Sequence, residues 1–425
     1  MKKKNKIIIF IVIIILIIIA LAVAYKVREN KIAMDKIITK NNNHIQEVAS
    51  HYNQYVKTIK KSKLYSDTYE EEGYIGENVE LILDKIKINK NTKYFKITNL
   101  DKEYYINYKN VEKIDNIIEN NDRYKKYIPF NENIITKDKI SFYDENDNLV
   151  LELNNEHNLP IIIKEDAKYG VEFNNRLLYV KKEDIENVVE NKNTELKNSS
   201  GVGVLNYHAF YDADSEESRN GCRTSICHSN KQFRSQLEYL KENNILTLKM
   251  KELEMYIDGK IQLPKSVLIT IDDGGRTQIG IDLLTEYKMY ATIFLITSWF
   301  DPDEYYKTEY IELHSHSDNM HNQGDCPTGQ GGAIQCKSEE FIQNDLKKSR
   351  EKLNNTTYFC YPFYEYNSYS ERMLKEAGFT MAFVGESLHS DNLAHVGCDK
   401  FKIKRFVIST YTTPSDFSNY FLQIK

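Results

Sequence analysis

At 425 residues the chain is longer than one ordinary compact domain, so at least two domains are expected. Its formal net charge of -5 leaves no broad basic surface for neutralising phosphates, which argues against a nucleic-acid-binding protein. Hydrophobic residues make up 41% of the chain, which is enough for packed cores, so global disorder is not expected.

The N-terminus combines a lysine-rich flank with an unbroken apolar run over residues 7–24. A helix of that length crosses a hydrocarbon core of about 30 Å, and the run exceeds the ~7–15 residues of a signal-peptide core. We therefore expect residues 1–25 to form a cytoplasmic flank and a single-pass membrane anchor. The positive-inside rule then places the rest of the chain outside the cell. A cleaved signal peptide is the alternative, because the alanines at the end of the run offer cleavage sites.

The next segments predict a spacer and a small β-rich domain. Residues 26–64 are polar, with apolar positions at helical spacing, which indicates a helical stalk. Residues 65–189 contain short alternating runs separated by Asn, Asp and Gly, which indicates strands and turns. Their last stretch, YGVEFNNRLLYVKKEDI, resembles the closing hairpin of bacterial SH3-like domains, which often bind cell walls. The polar residues 190–201 lack periodicity and are the expected linker.

From residue 202 to residue 425, apolar strand-like runs alternate with amphipathic helical runs. Such a β/α series predicts an α/β domain built as a distorted barrel of parallel strands. Functional groups of these folds lie at the carboxyl ends of the strands. The sequence places acids and imidazoles at those ends: His208 after VLNY, Asp272 and Asp273 after LITI, and His316 after IELHS. One carboxylate with two imidazoles is the usual ligand set of a hydrolytic Zn²⁺ site.

All six cysteines lie beyond residue 220, and an oxidising exterior permits disulfides. Short loops favour the pairs Cys222–Cys227 and Cys326–Cys336, although six cysteines allow 15 pairings. A thiolate zinc site is the alternative, but the C-x-x-C spacing that it favours is missing.

The strand end LITIDDG resembles the TFDDG motif of the polysaccharide deacetylases of carbohydrate esterase family 4, and the resemblance covers residues 202–408. In that family the first Asp of the pair is the general base and the second binds the metal. The resemblance therefore implies a base in Asp272 and a ligand in Asp273. Neighbouring residues at a strand end diverge, so two adjacent carboxylates can take different roles.

A second motif, SHSDNMH, resembles the family's histidine motif and implies that His316 and His321 are metal ligands. Its histidines are one residue further apart than in most members, as in the poly-N-acetylglucosamine deacetylase branch. On a regular helix an i, i+5 pair diverges by about 140°, so we expect a loop or an irregular turn here.

A third motif, YPFYEYN, aligns Tyr361 and Phe363 with the family's substrate loop, in which the backbone N–H at the Phe363 position helps to bind the oxyanion. Tyr364 replaces the family's glycine, and a residue with a Cβ resists positive φ. The segment VLNYHAF resembles the permuted poly-N-acetylglucosamine branch, which implies His208 as the general acid. The resemblance also suggests that Arg405 orients or charge-balances Asp272.

The resemblance implies an extracellular hydrolase that removes N-acetyl groups from N-acetylglucosamine residues of a cell-surface polysaccharide. A divalent ion is expected as cofactor, with Zn²⁺ first and Co²⁺ or Ni²⁺ as alternatives. Peptidoglycan is slightly favoured as substrate because the chain is expected to face the wall. A poly-N-acetylglucosamine exopolysaccharide, an esterase acting on O-acetyl groups and an inactive wall-binding protein are the alternatives.

Overall fold

The computed structural model describes residues 18–19, 21–32, 55–83, 85–89, 92–99, 102–115, 122–191, 197–305, 307–385 and 392–425. Most of the predicted anchor lies outside these residues, so it stays a prediction. Within them, no helix has the length and apolar character needed to cross a bilayer. Residues 21–32 are helical, but the predicted stalk does not reach residue 64 as a helix. Residues 55–58 and 62–65 are strands that bury alternate side chains, which is the period of a sheet.

The region between residues 55 and 190 is β-rich, and its described part contains no α-helix. Its strands are β1 (Tyr55–Thr58), β2 (Ser62–Tyr65), β3 (Glu71–Ile75), β4 (Glu80–Ile82), β5 (Lys85–Asn89), β6 (Thr92–Asn99), β7 (Lys102–Asn107), β8 (Val111–Lys113), β9 (Glu132–Thr136), β10 (Lys139–Tyr143), β11 (Leu149–Asn154), β12 (Asn158–Pro160), β13 (Ile163–Lys164), β14 (Lys168–Phe173), β15 (Arg176–Lys181) and β16 (Ile185–Glu190).

The chain divides into two compact units that are interleaved in sequence. The first comprises residues 1–121, 134–159 and 171–187, and the second comprises residues 122–133, 160–170 and 188–425. An antiparallel sheet of the first unit has the order β15-β10-β11-β3-β2-β7-β6-β5. The SH3-like assignment and the domain boundaries at 65, 189 and 202 stay predictions.

The second unit continues with alternating strands and helices. Its further strands are β17 (Gly203–Tyr207), β18 (Ala209–Tyr211), β19 (Cys227–Ser229), β20 (Leu246–Thr247), β21 (Ser266–Ile271), β22 (Ala291–Leu295), β23 (Ile311–Ser315), β24 (Tyr358–Cys360), β25 (Met381–Phe383) and β26 (Phe406–Val407). Its α-helices are α1 (Glu216–Asn220), α2 (Asn230–Glu242), α3 (Met250–Ile257), α4 (Gln278–Tyr287), α5 (Glu339–Lys352), α6 (Ser368–Glu376) and α7 (Pro414–Leu422).

The main sheet of this unit is parallel and has the order β25-β24-β23-β22-β21-β17-β26, with β20 beside β21. The segment before β26 also reaches the opposite edge, through a parallel bridge between Phe383 and Ile403. Residues 403–407 therefore touch both ends of the strand order. This is the α/β arrangement expected for the deacetylase domain.

Burial on both faces explains why the sequences of these strands are continuous apolar runs. Every residue of β17, β21 and β22 is buried, because strands of a parallel sheet are covered on both faces. Phe233 and Leu237 of α2 and Leu284 of α4 share a core cluster with the apolar side chains of these strands. Polar side chains such as Asn206 and Thr270 are buried on the same strands, where they support the functional site.

Candidate active site

The carboxyl ends of β17, β21, β23 and β24 bring the predicted site residues to one edge of the parallel sheet. His208 follows β17, the pair Asp272 and Asp273 follows β21, and His316 follows β23. Neighbouring strands that run in the same direction end side by side, so residues far apart in sequence meet here. His321 joins the cluster from the loop after β23.

Asp273, His316 and His321 form a compact ligand set. The Nε2 atoms of His316 and His321 each lie 3.4 Å from Asp273 Oδ1. That oxygen is buried, yet it makes no hydrogen bond within the described structure. Ligand atoms about 2.0–2.2 Å from a tetrahedral Zn²⁺ lie about 3.3–3.6 Å from one another. Both imidazoles therefore lie at that spacing from the carboxylate oxygen, and the three ligand atoms lie within 4.8 Å of one another.

Electrostatics at this point also favour a cation. Burial lowers the pKa of His321 to about 4, so its imidazole is neutral at neutral pH, which is the form that binds metal. Burial opposes the charge on His316 as well, but Cys360 and Asp273 outweigh it and raise the pKa of His316 well above its ordinary value. The Cys360 carbonyl lies 2.8 Å from His316 Nδ1, which leaves Nε2 directed at Asp273.

The segment from His316 to His321 is a loop rather than a helix, as the unusual histidine spacing demands. Ser317 has φ 72°, and this left-handed residue turns the chain after β23. The buried Asp345 of α5 fixes the loop, because its two carboxylate oxygens accept the backbone N–H groups of Asp318 at 2.8 Å and Asn319 at 2.7 Å. Asp345 lies 24 residues after His321, and no sequence pattern marks it for this role.

We expect Asp345→Asn to weaken metal binding by about 10- to 100-fold, the usual cost of losing a residue that orients metal ligands. The amide replaces one of the two acceptor oxygens with an NH2 donor, so one of the two backbone N–H groups would face a donor. The Zn²⁺ affinity is measured by competition with a chromogenic chelator. Glu340→Gln, an exposed change on the same helix, is the control and should bind as the wild type does. Wild-type affinity in Asp345→Asn would contradict the role.

Asp272 lies beside the ligand set, with a carboxylate oxygen within 4.8 Å of a ring nitrogen of His316, and it forms a fully buried ion pair with Arg405. Its Oδ1 accepts from Arg405 Nη1 at 2.7 Å, and its Oδ2 accepts from Nη2 at 2.8 Å. Burial alone would raise the pKa of Asp272, but the guanidinium holds that pKa well below its ordinary value. The carboxylate is therefore ionised at neutral pH. The predicted contact between Arg405 and Asp272 is present.

His208 lies on the other side of this pair, next to Tyr364. Its Nε2 is 3.4 Å from the Tyr364 hydroxyl, which donates to Asn206 Oδ1 at 2.7 Å. Burial lowers the pKa of His208, although Asp272 and Asp273 partly oppose the shift. Asn206 and Tyr364 are thus neighbours of the predicted acid that sequence analysis did not select.

The backbone of the third motif is left-handed at the position where the family has a glycine. Phe363 has φ 56° and Tyr364 has φ 62°, so two consecutive residues with a Cβ are left-handed. The Tyr364 ring packs against Gly385, and a Cβ added at that glycine would lie only 2.5 Å from the ring. It also lies 5.4 Å from the guanidinium of Arg405, and its hydroxyl is tied to Asn206. These contacts offset the strain, which costs of order 1–3 kcal/mol per residue.

The structure does not bring the Tyr361 side chain to the cluster. Its ring is fully buried in a core cluster with Met320 and Phe359, and its hydroxyl has no hydrogen-bond partner within the described structure. Phe363 is at the site, with its ring centroid 4.3 Å from that of His321. The oxyanion role of the Phe363 N–H stays a prediction.

We expect Tyr364→Phe to lower the turnover number for acetate release by about 2- to 10-fold, the usual value of one hydrogen bond. The ring stays in place, but His208 loses the hydroxyl beside Nε2. The measurement is kcat as a function of pH, since a merely structural ring would leave the profile unchanged. Tyr411→Phe, at a side chain 80% exposed, is the control. A wild-type kcat across the profile would contradict the prediction.

The structure forms both predicted disulfides, Cys222–Cys227 and Cys326–Cys336, and leaves Cys360 and Cys398 free. Cys360 is buried at the site, with Sγ 3.5 Å from Asp272 Oδ2 and 3.1 Å from Arg405 Nη2. Burial raises the pKa of its thiol.

Part of this chain is similar to known polysaccharide deacetylases. Residues 260–382 match the family described as Polysaccharide deacetylase. The poly-beta-1,6-N-acetyl-D-glucosamine N-deacetylase of Staphylococcus aureus is 28% identical over 204 residues, which are 43% of this chain and 67% of that protein. The protein of the same name from Staphylococcus epidermidis is 26% identical over 253 residues, or 52% of this chain and 83% of that one. A solved de-N-acetylase from Aggregatibacter actinomycetemcomitans is 20% identical, with a TM-score of 0.43 over 52% of this chain and 99% of that one.

A parallel β/α sheet with carboxylates and imidazoles at its strand ends is an arrangement that can support hydrolysis. The motifs LITIDDG and SHSDNMH, together with the family match, relate this site to the polysaccharide deacetylases. Residues 260–382 match the polysaccharide deacetylase family, and both the family resemblance and the expectation of a polysaccharide-deacetylating enzyme are confirmed.

Proposed function

We propose that this chain removes N-acetyl groups from a poly-β-1,6-linked N-acetylglucosamine polysaccharide. The observation that carries the proposal is the convergence of Asp273, His316 and His321 on one point, with the buried carboxylate of Asp272 beside it. The names of the Staphylococcus relatives and the long histidine spacing favour this polymer. The slight preference for peptidoglycan gains no support from those relatives.

Asp273, His316 and His321 would hold the divalent ion, and two nitrogens with one oxygen suit Zn²⁺. When bound, such an ion polarises the acetamido carbonyl and lowers the pKa of a water molecule. Asp272 is the base that takes the proton of the attacking water, since Arg405 keeps its carboxylate ionised.

The remaining steps need an oxyanion donor and an acid. The Phe363 N–H stabilises the oxyanion that forms when water adds to the acetyl carbon. His208 gives a proton to the amide nitrogen as the carbon–nitrogen bond breaks, and Tyr364 positions its Nε2. Burial disfavours the protonated imidazole, and the carboxylates of Asp272 and Asp273 partly oppose this effect. Acetate and a free glucosamine amine leave.

We further propose that the enzyme acts outside the cell from a single-pass membrane anchor at residues 7–24. The apolar run supports this location, and the two disulfides are compatible with an oxidising exterior. In this proposal the deacetylase domain is a distorted barrel, and the SH3-like β-rich unit contacts wall or polymer.

Acetate release tests the proposal. The full-length protein in detergent is incubated with poly-β-1,6-N-acetylglucosamine or with peptidoglycan, with and without a chelator. We expect release from the first polymer, loss of release with chelator and recovery with Zn²⁺. Preferential release from peptidoglycan would overturn the substrate, and a folded protein that releases no acetate from either polymer would overturn the activity.

A further inference from the structure

The sole tryptophan of the chain, Trp299, lies at the edge of the candidate site with its side chain 50% exposed. It follows β22, and its ring centroid is 5.7 Å from that of His321 in an edge-to-face arrangement. Large aromatic side chains usually bury their faces, so a half-exposed indole beside a predicted metal ligand calls for a partner. No step of the proposed chemistry uses it.

The turn that carries Trp299 is fixed to the metal-ligand loop. Thr297 N–H donates to the Ser317 carbonyl at 3.2 Å, and Ser298 N–H donates to the Asp318 carbonyl at 3.0 Å. The Thr297 hydroxyl also donates to Asp318 Oδ1 at 2.7 Å. The indole is thus held at a set position relative to His316 and His321, which a binding platform requires.

A second aromatic ring extends the same surface. Phe363 also contacts the ring of His321, at 4.3 Å between centroids, and it is only partly buried. The rings of Trp299 and Phe363 therefore both border the ligand set. A surface of apolar rings next to the point where the acetyl group reacts suits the apolar C–H face of a pyranose ring and not a charged group.

We infer that Trp299 is the stacking platform for a sugar ring of the polysaccharide, and so a specificity residue for chains over small acetamides. The inference rests on the proposed function, because the occupant is the polymer that this function names. Trp299 acts in binding alone: truncation should raise KM and leave kcat nearly unchanged.

Intrinsic fluorescence of the full-length protein reports on this residue alone, because Trp299 is the sole tryptophan. Titration with a β-1,6-linked N-acetylglucosamine pentamer should give a saturable change in tryptophan emission. An equal concentration of acetamide should give none. Emission that stays constant up to pentamer concentrations at which acetate release saturates would overturn the inference.

Kinetics supply the second measurement. Trp299→Ala should raise KM for the pentamer by about tenfold, the size expected when an aromatic anchor is truncated, while Trp299→Phe retains most of the affinity. Tyr411→Ala, at a side chain 80% exposed, is the control and should keep the wild-type KM. A wild-type KM in Trp299→Ala would overturn the inference.

The two proposals fail in different ways. Saturable emission without acetate release would support the sugar platform and overturn the proposed activity. Acetate release with constant emission and a wild-type KM in Trp299→Ala would leave the activity standing and overturn the platform. Because Trp299 is half exposed, its truncation opens no core cavity, and the wild-type titration decides the question without any variant.

Discussion

Replacing Asp272 with Asn should lower kcat/KM for acetate release by about 10²- to 10⁴-fold, the usual contribution of a positioned general base. An amide cannot take the proton of the attacking water. The ligand set of Asp273, His316 and His321 is left intact, so the variant should still bind one equivalent of Zn²⁺. Acetate release and metal content are therefore measured on the same preparation.

Two controls make this result specific. Asp282→Asn, an exposed change on α4, should retain wild-type release. The free energy of unfolding of Asp272→Asn is also measured, because the variant leaves Arg405 buried without its carboxylate. A folded, metal-loaded variant with near wild-type release would remove Asp272 from the base role.

The second large effect is on stability. Arg405→Met should lower the free energy of unfolding by about 3–5 kcal/mol at neutral pH, because the Asp272 carboxylate would stay buried without a partner. In the wild type the depressed pKa of Asp272 contributes stability above its ordinary value of 3.8, and this contribution is lost as pH falls through the folded value. In the variant, burial without the guanidinium raises the pKa of Asp272, so Asp272 becomes protonated as pH falls toward 4. The difference in the free energy of unfolding between the wild type and the variant therefore shrinks over that range.

Denaturant unfolding at several pH values measures this deficit. The double variant Arg405→Met with Asp272→Leu removes both charges and should be more stable than Arg405→Met alone. Arg372→Met, at an arginine whose ion pairs are exposed, is the control and should cost far less than Arg405→Met does. An Arg405→Met deficit that is small, or equal at neutral and acid pH, would show that the ion pair does not hold the site together.

The strand ends could be read from the sequence because buried parallel strands leave unbroken apolar runs. The run SVLITI ends where the chemistry begins, and β21 occupies it residue for residue. The loop between His316 and His321 followed from their spacing together with the family resemblance that makes both of them ligands, since a regular helix cannot turn both imidazoles to one ion. Both predictions depend on local patterns.

The parts that sequence analysis missed depend on tertiary contacts. Asp345 supports the histidine loop from α5, and no periodicity marks an acid on a helix as the acceptor of distant N–H groups. Tyr364 adopts a left-handed backbone that residues with a Cβ disfavour. The space above Gly385 admits its ring, and the hydrogen bond to Asn206 holds its hydroxyl. The prediction of a helical stalk up to residue 64 is wrong, because residues 55–58 and 62–65 are strands. The few apolar residues between 55 and 64 fit a helical period as well as a strand period.

The late position of Arg405 in the sequence has a consequence for biosynthesis. A growing chain contains every ligand of the predicted metal centre once His321 has been made, yet Asp272 lacks its counter-ion until Arg405 follows. Over that interval the base would be a buried carboxylate that favours its protonated, inert form. We therefore expect a chain that ends before Arg405 to release no acetate, because it lacks both the counter-ion of Asp272 and the strand β26 that pairs with β17.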